Sequence, residues 1–151
     1  MYPQKYNPKI LSKKDSKKTH RHLLNLKKEY KKGNYINRPK TNYKSRKSSH
    51  VLRAKEVYNV DSIVPSKKLA KRTGCSLKTL NIITKKGRGA YYSSGSRPNQ
   101  TAQSWARARL ASAITGGKAS LVDYHLLLKG CSAKSKALRL ATKTKKNLKK
   151  Q

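Results

Sequence analysis

The chain has 151 residues, with 39 Lys and Arg against 5 Asp and Glu, for a formal net charge of +34. Self-repulsion at this density opposes compaction, so an external source of negative charge is expected: nucleic acid, an anionic membrane or an acidic protein surface. Hydrophobic residues make up 34% and Phe is absent, which excludes a large dry core and predicts a small folded centre with long solvated or partner-bound segments.

The opening MYPQKYNPKILSKK lacks the apolar segment of a signal peptide, and no apolar run approaches bilayer-spanning length, so the chain is expected to be intracellular when made. Residues 1–50 read as a basic N-terminal arm with one amphipathic helix. Ser12 or Ser16 caps that helix, Leu23, Leu24, Leu26 and Tyr30 supply its apolar face, and Gly33 stops it. Residues 34–50 mix basic residues, Tyr, Asn and Ser without apolar periodicity, the pattern of an extended arm that orders on a partner.

At Val51 the composition shifts, and residues 51–130 read as a small α-helical domain. Val51, Leu52, Val57, Val60, Ile63 and Val64 precede the break at Pro65. Ser66 caps a short helix, KKLAKR; Thr73-Gly74-Cys75 turns; Ser76 caps a second helix, LKTLNIITKK, ending near Gly87. This αα-hairpin fits two readings. As packing, Leu69, Ala70, Leu80 and Ile83 lock one helix to the other, the favoured alternative. As a helix-turn-helix, Ser76, Lys78, Asn81 and Lys85 would face a DNA groove.

Residues 87–100, rich in Gly, Ser and Tyr and containing Pro98, predict an irregular loop. Thr101 caps a helix to Thr115 stopped by Gly116-Gly117, with Trp105 expected at the centre of the core and Ile114 buried beside it. Ser120 to Asp123 form a capping-box-like start for a further helix carrying Leu121 and Leu126 to Leu128. Residues 131–151 hold no acid and read as a basic C-terminal tail. The fold class is mainly α: a helical core with basic arms.

Two cysteines, Cys75 and Cys131, are too few for a disulfide framework and have no zinc-ligand spacing; two buried thiols are expected, a mutual disulfide being the alternative. The five carboxylates, Asp15, Glu29, Glu56, Asp61 and Asp123, form no catalytic motif, and the histidines, His20, His22, His50 and His125, are scattered. No P-loop or nucleophile-elbow motif occurs. The expectation is a non-enzymatic protein with no cofactor, metal or small-molecule substrate.

Residues 66–130 resemble a family of small basic proteins of nucleocytoplasmic large DNA viruses. The resemblance rests on Gly89-Ala-Tyr-Tyr92, Ser94-Gly-Ser-Arg-Pro-Asn-Gln-Thr101, Trp105-Ala-Arg-Ala-Arg-Leu110 and Thr115-Gly-Gly-Lys118. It implies a virion or genome-associated setting, with synthesis in the host cytoplasm or virus factory, and carries no catalytic residue.

In that loop, Gly87, Gly89 and Gly95 would free backbone N–H groups which, with Arg88, Arg97 and the helix N-terminus at Thr101, suit a phosphate; Arg107 and Arg109 join the candidate anion-binding residues. Packing of Tyr91, Tyr92 and Arg97-Pro98 over the Trp105 helix is the competing account. The expected function is a basic minor capsid protein whose arms bind acidic surfaces of neighbouring capsid subunits. The alternative is a nucleoprotein that neutralises viral DNA phosphates. A third partner is an anionic inner membrane, met by the basic helix at 17–32.

Overall fold

The first long helix, α1 (Lys13–Lys31), begins where the sequence places it: the Ser12 hydroxyl accepts from the Asp15 N–H at 3.1 Å, and the chain leaves the helix through Gly33 at φ +85°. In the computed structural model, which describes residues 1–151, seven more α-helices follow and no strand forms. They are α2 (Ser49–Tyr58), α3 (Lys67–Thr73), α4 (Leu77–Ser94), α5 (Ala102–Ile114), α6 (Lys118–Val122), α7 (Tyr124–Gly130) and α8 (Lys136–Lys149). The mainly α class is therefore correct. The chain forms two compact units, one of residues 1–46 and 88–105, the other of 47–87 and 106–151.

In the first unit, α1 turns Thr19, Leu23 and Leu26 inward and leaves its lysines in solvent. Gly95, at φ +94°, lies so close that a Cβ there would meet Leu23 Cδ2 at 2.4 Å. The extended arm expected at 34–50 is non-helical only to Ser48, since α2 begins at Ser49, and residues 34–46 are tied to their own unit. Arg38 is buried, and Asn99 Nδ2 donates to the Tyr43 carbonyl. The predicted irregular loop at 87–100 is a correction: α4 continues to Ser94, and only residues 95–101 are irregular. Glycine lowers helix propensity by about 1 kcal/mol relative to Ala. At Gly87 close packing outweighs that cost, since a Cβ would meet Ala106 Cα at 2.7 Å.

In the second unit the predicted hairpin is present. Ser66 accepts from the Leu69 N–H, Gly74 adopts φ +77°, and Ser76 accepts from the Thr79 N–H. Leu69, Leu80, Ile83 and Ile114 are buried in one core with Leu110, Leu127 and Ala137, while Ala70 packs half-buried against it. Two core expectations are corrected. Trp105 is only half-buried and sits in the first unit, edge-on to Tyr6 with ring centroids 5.8 Å apart; Leu121 is half-buried and outside the core. Small residues at 111 and 113 let α5 fill the core without its large aromatic.

The single helix expected from Ser120 is instead two, α6 and α7, because Asp123 breaks the run with its side chain fully buried against Arg109. The basic tail is largely α8, capped by Ser135 and burying Ala137, Leu138 and Ala141. The two-thiol expectation is also overturned: Cys75 and Cys131 form a disulfide, flanked by Ser76 N–H to Gly130 and Ser132 N–H to Gly74 backbone bonds that make an isolated antiparallel bridge. A turn after α3 and the end of α7 meet there, a pairing no residue spacing in the sequence encodes.

Candidate functional site

On α4 within the second unit, Lys78, Asn81 and Lys85 are exposed at i, i+3 and i+7, on the face opposite Leu80, Ile83 and Thr84. Ser76 caps this helix and is itself exposed. The structure thus places three of the predicted groove-facing residues, Lys78, Asn81 and Lys85, on one solvent stripe, while Ser76 is held at the helix cap by Thr79.

The phosphate cradle drawn from the glycines does not form. Gly87 and Gly89 lie inside α4, where their N–H groups serve the helix, and the Gly95 N–H donates to the Ala90 carbonyl at 3.2 Å. At the start of α5, the Thr101 N–H donates to Ser104 Oγ at 2.9 Å and the Ser104 N–H returns to Thr101 Oγ1 at 3.1 Å, a reciprocal cap. Arg88 and Arg97, both exposed, belong to the first unit, and Arg107 is exposed in the second.

Arg109 is removed from the anion-binding set: its guanidinium makes a two-pronged contact with Asp123, Nε to Oδ2 at 3.0 Å and Nη2 to Oδ1 at 2.8 Å. The Asp123 carboxylate has no exposure, so this pair is structural.

A buried cation in the first unit escaped the sequence reading. Arg38, 8% exposed, donates through Nη1 to the Ser96 carbonyl and through Nη2 to the Tyr6 carbonyl, and its backbone N–H donates to Tyr91 Oη at 3.0 Å. Tyr91 Oη in turn donates to the Gln100 carbonyl. No carboxylate joins this group, and burial lowers the guanidinium pKa to about 10, which leaves it charged at neutral pH. Burial also raises the Tyr91 and Tyr6 hydroxyls and lowers the nearby His22, the last helped by the Arg38 charge. Nothing in residue order set Arg38 apart from the exposed cations, since Arg97 also precedes a proline and stays in solvent.

A groove of about 760 Å³ lies between α7 and α8 in the second unit. Its rim carries Lys134, Arg139, Lys143, Lys146 and Lys150, and no acid lines it. Leu128, Ala133 and Leu138 give an apolar floor, and Leu128 stays 58% exposed. The Tyr124 ring is fixed there by its hydroxyl, 3.2 Å from Thr142 Oγ1, and by Lys145 Nζ 4.2 Å from the ring centroid. No three His, Cys, Asp or Glu side chains gather as a metal site, and no helix is long and apolar enough to cross a membrane.

No curated protein and no solved structure matches the chain significantly. A family whose description is "Family of unknown function (DUF5824)" matches residues 3–149. That match takes in both basic ends as well as the motif-bearing centre, and the chain belongs to this family.

Proposed function

We propose that the protein is a non-enzymatic structural protein, a basic minor capsid component of a large DNA virus that binds acidic surfaces of neighbouring capsid subunits. The observation that carries the reading is uncompensated charge. Against 39 Lys and Arg the chain makes two ion pairs with its own carboxylates, Arg109–Asp123 and Lys32–Glu29. The negative charge must come from outside.

Two features favour a protein surface over bare phosphate. The basic segments at both ends are held in packed units, so their cations are displayed in fixed positions, which phosphate neutralisation does not require. The α7–α8 groove adds apolar surface among its cations, which suits a protein partner. The virion setting rests on the resemblance of residues 66–130 to small basic proteins of large DNA viruses.

A nucleoprotein is the second reading, favoured by the exposed Lys78, Asn81 and Lys85 stripe on the hairpin. Purified particles, opened and freed of their genome at raised salt, separate the two. Retention of the protein with the shell supports the capsid reading, and departure with the DNA overturns it.

A further inference from the structure

We infer that the α7–α8 groove is a docking site for an acidic amphipathic helix of a partner protein. This inference rests on the acidic-partner reading above and assigns it a place on the molecule.

The groove combines two chemistries that one occupant must satisfy together. Arg139, Lys143 and Lys146 on α8, with Lys150 at its C-cap, recur every three or four residues, so they form a cationic rail along one side of that helix. At 1.5 Å per residue, the rail extends roughly 16 Å, about three turns of a facing helix. Beneath it, Leu128, with Leu138 buried behind the groove wall, offers apolar surface to an occupant, and the restrained Tyr124 ring is already placed for contact. An occupant with Glu or Asp at three- and four-residue spacing, and Leu-type residues on the adjacent stripe, meets both features.

The chain cannot supply this occupant itself. Its five carboxylates, Asp15, Glu29, Glu56, Asp61 and Asp123, include no two at three- or four-residue spacing, and Asp123 is buried on Arg109. A second copy is disfavoured because each chain carries +34. Duplex DNA would meet the rail but leave the Leu128 surface without an apolar counterpart.

The test uses the full chain and a fluorescently labelled 14-residue peptide of Glu and Leu, patterned as an amphipathic helix and read by anisotropy at physiological salt. A scrambled peptide of the same composition and a duplex DNA serve as competing probes. The expected result is preference for the patterned peptide, weakened roughly tenfold by Lys143→Glu with Lys146→Glu and several-fold by Leu128→Ser. Amide chemical-shift changes in the unaltered chain, confined to α7 and α8, are the expected result independent of any variant.

Equal binding of patterned and scrambled peptides, with shifts spread over the basic surface, overturns the groove and leaves the general acidic-partner reading standing. Tight DNA binding that is lost with the lysines but indifferent to Leu128→Ser overturns it in favour of a phosphate track. Failure of every acidic peptide to bind overturns this inference; failure of the protein to remain with the shell, tested separately on particles, overturns the capsid reading.

Discussion

Arg38 is where the charge of this protein is most costly and most constrained. A guanidinium taken out of water without a carboxylate is tolerated because two backbone carbonyls, of Ser96 and Tyr6, accept from its two terminal nitrogens. Arg38→Ala leaves both carbonyls without that donor and is expected to cost about 2 kcal/mol. Arg38→Lys should rescue little, because an ammonium lacks the planar fork. Urea unfolding followed by fluorescence of Trp105, the sole tryptophan, measures both.

His22 gives the same unit a pH dependence. Its folded pKa lies below the ordinary 6.5, first through burial and second through the Arg38 charge. The unfolded chain therefore takes up the proton more readily. Stability should hold at and above neutral pH and fall as pH drops below about 6.5 toward the folded-state value. His22→Asn should flatten that part of the profile, and an unchanged slope in acid denaturation would assign the dependence elsewhere.

Among the elements, α4 separates propensity from packing. Gly87 and Gly89 have the same sequence appearance, and both suggested a loop. Within the helix, Gly87 leaves no room for a methyl group beside Ala106, whereas the nearest neighbour of a Cβ at Gly89 is Tyr30 Oη at 3.6 Å, an ordinary contact. Gly87→Ala should destabilise by about 1–3 kcal/mol despite its better helix propensity. Gly89→Ala should be neutral or stabilising by up to about 1 kcal/mol. Thermal melts of the pair decide whether propensity or contact governs each position.

Helix beginnings at Ser12, Ser66, Ser76 and Thr101 were legible because a hydroxyl preceding a helix satisfies N–H groups that the helix cannot. The end of α4 was not, since its continuation depends on a neighbour that sequence distance does not reveal.

At the scale of the whole molecule, the Cys75–Cys131 bond closes a sequence separation of 56 residues around much of the second unit's core. On the chain-entropy account such a loop contributes about 4 kcal/mol. Reduction should therefore lower the melting temperature followed by far-ultraviolet circular dichroism. A Cys75→Ser, Cys131→Ser chain should melt at the lower temperature with or without reductant.

Charge balance, the helical class, the starts of α1, α3, α4 and α5, and the core residues Leu69, Leu80, Ile83 and Ile114 were legible in residue order alone. These follow from local capping, apolar periodicity and composition, which act over a few residues. Folding in three dimensions was needed to bring Cys75 to Cys131, to pair Arg109 with Asp123, to bury Arg38 and to leave Trp105 outside the main core. It also makes the basic tail one wall of a groove. Each of these depends on residues far apart in the chain arriving at one place, where burial and close contact can outweigh every local preference.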